Sequence, residues 1–275
     1  MSKVRYDLVF GIGSACTCTE LLRKAGLQYE AYPLDWVGRS DVRGRTRLVM
    51  DGFRDLMDAR RLAPEPGEHD DGRHLHLVDG GSGFAFFHDF PVGKSVEESF
   101  PAVKAKYDRR ISRFFSRLDA SRRVLIVWIG ETRDQTHVDD DEIRECLGMF
   151  SARYPRAKFE MLLLECRFGV LPEDAEVTRG DGFCRIAFDY LSHDPAAPVW
   201  QLRDELVLPY LKRRSARDCR SRAERAEARR RDRQAEWARF GAHSRIGCLV
   251  AKMKYKALRW MRKRMAGIKL EGRES

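Results

Sequence analysis

Residues 6–27, YDLVFGIGSACTCTELLRKAGL, set the fold class. Residues 6–13 are an unbroken apolar run of strand length, the pattern of a strand buried on both faces. Gly-x-Gly-Ser follows. Residues 17–26 then place Leu21, Leu22 and Ala25 on one helical face, with Gly26 as a stop. Strand, tight turn and helix in that order open an α/β domain. The alternation continues along the chain. GFAFFHDF (83–90) reads as an aromatic strand, and residues 99–119 as a long helix carrying Val103, Tyr107, Ile111, Phe114 and Leu118 at helical spacing. RRVLIVWIG (122–130), AKFEMLLLE (157–165) and FCRIAFDY (183–190) read as further strands, and 139–153 and 199–212 as helices. The pattern predicts a three-layer α/β sandwich with a mostly parallel sheet over residues 1–211, with the charged segment 63–74 as a surface loop.

The net charge of +10 is unevenly spread. Residues 212–275 hold 22 Lys and Arg against 7 Asp and Glu, and residues 1–211 hold the other 30 against 35. A slightly acidic body thus precedes a basic helical tail. No run of 18 apolar residues exists, and the N-terminus reads as a first strand and not as a leader. Seven cysteines in no paired spacing predict reduced thiols and a cytoplasmic setting.

The glycine turn has three readings. As a phosphate cradle it offers Gly11 and Gly13, with Cys16 at the place of a third glycine and Asp35 as a distant acid. As a nucleophile mount it sets Cys16 at a helix start, where unpaired N–H groups and the helix dipole stabilise a thiolate. The same amides, around Gly13 and Ser14, can bind an oxyanion or another anion. As plain packing it holds two small buried thiols, Cys16 and Cys18. A metal is not called for, since no second cysteine pair follows, and no cofactor is implied. Among the histidines at 69, 74, 76, 88, 137, 193 and 243, His88 stands out, at the end of an aromatic strand and before Asp89. His74 and His76 fall in or beside the charged loop, and the acids at 139–142 read as a helix start.

Four stretches, GIGSACTCTELLRKAGL, YPLDWV, FHDF and KYDRRISRF, together resemble a bacterial family of uncharacterised proteins described as "putative papain-like cysteine peptidases". The resemblance covers about residues 6–130. It implies a cysteine hydrolase in which the family cysteine is Cys16 and the family histidine His88. Its Pro-Phe-Asp-Trp box falls on Pro33, Leu34, Asp35 and Trp36, with Leu34 departing from the family's Phe. Its Lys-Tyr-x-Arg-Arg helix falls on Lys106, Tyr107, Arg109 and Arg110. In such a site His88 takes the proton of Cys16 and a third group holds the imidazole. Asp35 suits that role better than Asp89, because strand neighbours point to opposite faces. Trp36, Asp89, Arg109 and Arg110 remain as substrate contacts, the arginines suited to an anionic group. Papain-like domains pair the cysteine helix with an antiparallel sheet, whereas the alternation here predicts a parallel one.

The tail divides in two. Residues 213–240 read as an exposed, charge-laced helix, and 246–266 as an amphipathic one with Lys252, Lys256, Arg259 and Lys263 opposite an apolar stripe. That second segment fits an anionic membrane surface on its inner face, a protein partner, or the chain's own body. Nucleic acid ranks behind these, for no reader motif accompanies the charge. The reading is a thiol hydrolase acting on an acyl or peptide substrate. The alternatives are a non-catalytic binding or scaffold protein with an anion-binding Gly-Ser-Cys turn, and a nucleotide-dependent transferase.

Overall fold

A computed structural model describes residues 4–13, 16–39, 41–54, 56–65, 72–130, 137–192 and 201–239. The chain divides into two compact units, Met1–Asp218 and Cys219–Ser275. The first is mixed α/β. Its strands are β1 (Val4–Tyr6), β2 (Leu8–Gly11), β3 (Val37–Gly38), β4 (Leu62–Pro64), β5 (His74–Asp79), β6 (Ala85–Pro91), β7 (Arg123–Ile129), β8 (Lys158–Cys166), β9 (Glu176–Gly180), β10 (Phe183–Phe188) and β11 (Arg214–Ala216). Its helices are α1 (Cys16–Lys24), α2 (Val42–Met50), α3 (Val96–Asp119), α4 (Asp140–Arg153) and α5 (Asp204–Leu211).

One sheet is mostly parallel, in the order β2-β7-β8-β10-β9, with β9 alone antiparallel. Its inner strands read as unbroken apolar runs because both faces are covered. Leu8, Phe10, Ile126 and Met161 join a core with Val103, Tyr107 and Phe114 of α3 and Ile143 and Phe150 of α4. Val9, Leu125, Val127 and Leu162 join a second core with Leu21 and Leu22 of α1 and Val207 and Leu211 of α5. Each such side chain stabilises the fold by about 1.5–3 kcal/mol on leaving water. Gly26, at φ +71°, ends α1. The Leu27 N–H reaches the Leu22 carbonyl at 2.9 Å and the Gly26 N–H reaches that of Arg23 at 3.0 Å, satisfying the last carbonyls of the helix.

The aromatic strand lies elsewhere. It is β6, in a separate antiparallel sheet of order β3-β6-β5-β4, so the expectation of one parallel sheet is corrected there. Its partners are β3, only two residues long, and β5, whose burial does not alternate regularly. His74 and His76 belong to β5 and not to the preceding loop. A third, two-stranded sheet pairs β1 with β11 in parallel, which carries the first unit past Leu211 to Asp218.

In the second unit, α6 (Arg222–Arg239) opens with a capping box, Ser221 Oγ accepting from the Glu224 N–H at 3.1 Å and Glu224 accepting from the Ser221 N–H at 2.6 Å. The amphipathic segment 246–266 lies outside the described residues. No helix among the described residues is long and apolar enough to cross a membrane.

Candidate functional site

The glycines of the opening turn are explained by a thiol, and it is Cys18. A Cβ on Gly13 would lie 2.6 Å from the Cys18 Cβ, and one on Gly11 would lie 2.9 Å from its Sγ. Cys18 is buried, and its Sγ–H donates to the Val127 carbonyl at 3.7 Å. On the helix side of Gly11 and Gly13 the space is therefore filled by this side chain, which removes the support for a phosphate cradle there. Cys16 is different. It is the first residue of α1 and half-buried, at the end of the helix where N–H groups point outward. Ser14 lies outside the described residues.

Cys16, Thr19 and Arg23 share one side of α1 by their spacing of three and four. The latter two meet Asp35, which is 1% exposed within the short helical turn Pro33–Trp36. Thr19 Oγ1 donates to Oδ1 at 3.1 Å, and Arg23 to Oδ2 at 3.5 Å. Gln28 Nε2 donates to both oxygens, at 2.9 and 2.8 Å, and the Tyr32 N–H to Oδ2 at 2.8 Å. Burial pushes the Asp35 carboxyl above its ordinary range, against the pull of Gln28, the Tyr32 amide, Arg23 and Thr19. Its oxygens are thus occupied, and no imidazole is among the donors.

What Asp35 does hold is the turn that carries Trp36. The indole lies 5.5 Å from the Arg23 guanidinium and edge-on to His88, with ring centroids 5.6 Å apart. His88 is exposed and lies within β6, not at a strand end. It sits in a bulge: β5 advances from Leu75 to Leu77 while β6 advances from Phe90 to Phe86, so Phe87, His88 and Asp89 all oppose His76. Bulges of this kind re-aim side chains. His88 turns outward and also meets His74, with centroids 6.0 Å apart. Asp89 turns inward, where Lys106 and Tyr107 of α3 bind its two oxygens, the Tyr107 hydroxyl donating at 2.7 Å. Burial, then the neighbouring Asp89 charge and this bond, holds the Tyr107 hydroxyl well above its ordinary range. Asp89 therefore ties β6 to α3 and is not available to a substrate. Arg110 lies over the Tyr107 ring at 5.3 Å, and Arg109 is exposed.

Two contributors are not visible in the sequence. Arg45 of α2 is fully buried and donates to the carbonyls of Leu34, at 3.2 Å, and Val37. It fixes both ends of the turn that bears Trp36. α2 is capped by Asp41, whose carboxylate accepts from the Gly44 N–H, a local signal the sequence reading did not use. Arg45→Met is expected to leave both carbonyls without their donor and to cost about 2–4 kcal/mol. Chemical denaturation would measure it, and a wild-type midpoint would contradict this account of the turn.

The second contributor is Glu165, buried at the end of β8. It accepts from the Val138 N–H at 3.1 Å and Arg185 Nε at 3.0 Å, and lies 3.3 Å from His137 Nδ1. His137 Nε2 is in turn 3.3 Å from Asp139. This cluster lies at the carboxyl ends of the parallel strands, where reacting groups collect in open α/β sheets.

No solved structure matches the chain. A protein of Acanthamoeba polyphaga mimivirus, named "Uncharacterized protein R408", is 26% identical over a 134-residue alignment that covers 44% of this chain. The chain spans 60% of that protein's length. A family pattern matches residues 7–168, from the first core strand through the end of β8 and so across Cys16, Asp35, Trp36, His88 and the Lys106–Tyr107 pair. The chain belongs to the family described as "Putative papain-like cysteine peptidase".

Proposed function

We propose that the first unit is a thiol acyl hydrolase in which Cys16 is the nucleophile and His88 its general base. One observation supports this reading most: the Trp36 ring contacts both Arg23 of the Cys16 helix and the His88 imidazole. Membership of the family supports it independently. In the reaction the Cys16 thiolate attacks the acyl carbon, and the carbonyl π pair moves onto oxygen, beside the N–H groups that open α1. Collapse of that intermediate breaks the bond to the leaving group, which takes its proton from the His88 imidazolium. Water, deprotonated by His88, then cleaves the thioester and releases the acid and Cys16. Asp35 is a positioning residue in this scheme, acting through Trp36. Trp36, Arg109 and Arg110 remain candidates for substrate contact. The setting is one that keeps thiols reduced, and the segment 246–266 places the body on an anionic membrane surface or a partner.

A second reading keeps Cys16 and exchanges the base. His137 is favoured by its contact with buried Glu165, the arrangement that holds a catalytic imidazole in one tautomer. A panel of activated esters and fluorogenic peptides, turned over by the full chain, tests both. Cys16→Ser is expected to reduce turnover by about a thousandfold or more, and His88→Ala comparably, with His137→Ala near wild type. Full turnover by Cys16→Ser would end the hydrolase reading. Loss in His137→Ala alone would move the base to His137.

A further inference from the structure

A cleft of about 900 Å³ lies toward the amino ends of β7, β8 and β10, bordered by β1, β9 and the segment Pro209–Arg214. Cys16 follows the carboxyl end of β2, so the span of the sheet, roughly 20 Å, separates the two places. The cleft's floor is apolar, with Leu125 and Ile186 of the core that α5 covers, and Tyr6 beside them. Its charged lining is Lys158, Arg179, Lys212, Arg213 and Arg214 against Glu160 alone. That single acid is already engaged. The Tyr6 hydroxyl donates to it at 2.5 Å, Arg123 at 2.8 Å, and Lys158 lies 3.4 Å away.

The cations on the two sides of the cleft are not so engaged. Among the described residues Arg179, on β9, has no carboxylate partner and makes a 3.9 Å contact with the Cys184 sulfur. Across the cleft, Arg213 lies over the Tyr210 ring at 5.1 Å and has no carboxylate among the described residues. Lys212, beside it, has no ion pair among the described residues either. Within one globule, cations usually find acids or disperse over the surface. Three that face one concavity, from two separate elements, leave a concentrated positive field over an apolar floor.

The geometry points to a binding site for a nucleoside polyphosphate, with its phosphates between Arg179 and Arg213 and its base on the apolar floor. Arginine suits both parts, since its planar fork matches phosphate oxygens and its face stacks on aromatic rings. The volume is that of a small-molecule site. The ligand would not reach Cys16, so this site stands independently of the hydrolase reading.

ATP binding to the full chain at physiological ionic strength, followed by calorimetry, tests it. Inorganic triphosphate and a single-stranded oligonucleotide serve as comparison ligands. Arg179→Glu/Arg213→Glu changes the cleft. Arg229→Glu/Arg233→Glu on α6 changes the net charge equally, at residues that do not line the cleft. The cleft variant is expected to bind ATP about tenfold or more weakly, the α6 variant like wild type, and triphosphate several-fold more weakly than ATP. Three results would each overturn the proposal. They are equal loss in both variants, which marks non-specific attraction; triphosphate binding as tightly as ATP, which leaves the floor without a role; and oligonucleotide binding that ATP does not displace, which marks a polymer surface. Cys16→Ala is expected to bind ATP unchanged.

Discussion

Gly13→Ala is expected to lower the stability of the first unit by about 2–4 kcal/mol and to disturb the start of α1. The added Cβ would lie 2.6 Å from the Cys18 Cβ, 2.9 Å from its Sγ and 3.1 Å from the Ile129 carbonyl oxygen. None of these is the loose end of a long side chain. Either α1 moves off the sheet or β2 moves away from β7, and both open a core in which Cys18, Leu21 and Leu22 are at most 1% exposed. The cost is larger than glycine's usual conformational entropy and has the opposite sign. Denaturant titration would measure it, and a variant as stable as wild type would show that the close approach of α1 to the turn is wrong. Gly52, with nothing within 4 Å of an added Cβ but a φ of +69°, is the contrasting case, where strain and not contact sets the cost.

Asp35→Ala is expected to be as damaging, by roughly 3–5 kcal/mol, because it strands buried donors. The Tyr32 N–H and the Thr19 hydroxyl lose the carboxylate as acceptor, the Gln28 amide keeps the Glu30 carbonyl but loses both carboxylate oxygens, and Arg23 loses its counter-charge. Asp35→Asn separates shape from charge. Burial raises the folded carboxyl above its ordinary value of 3.8. The folded state therefore holds that proton more tightly than the unfolded chain does. The contribution is fully present below the ordinary value and declines as pH rises through the raised one. Wild-type stability is expected to fall across that window, and Asp35→Asn to remove this part of the slope. Equal slopes in the two proteins would contradict the raised carboxyl. Because Asp35 fixes the turn bearing Trp36, both variants are also expected to weaken any His88-dependent reactivity of Cys16.

The opening strand, the turn and α1 were legible because their signals are local: an apolar run, two glycines and the Gly26 stop. β7, β8 and α3 were legible for the same reason, through burial on two faces and a regular helical stripe. The antiparallel sheet was not. β3 and β4 are two and three residues long, too short to carry a periodic pattern of their own. β11 is even less visible, since it pairs with β1 from the far end of the first unit, Val4 facing Arg214. At the candidate site, Cys16 at a helix start was legible from the glycine turn and the helical stripe behind it, whereas Asp89, kept as a substrate contact, turns inward to α3. The bulge at His88 was not legible, because it depends on the register with β5. Nothing local marks Arg45, and Glu165 read as the end of an apolar strand; only the fold reveals that both are buried and bonded.

The central claim is that Cys16 and His88 act as a pair, and the pH dependence of Cys16 alkylation by iodoacetamide tests it most directly. Mass spectrometry of the Cys16 peptide separates it from the other thiols, among them Cys18, Cys146 and Cys166, which are buried. The account predicts a Cys16 thiolate that persists well below the ordinary thiol value of about 8.5 in wild type, vanishes in His88→Ala and survives in His137→Ala. An ordinary thiol profile, unchanged by His88→Ala, would contradict it.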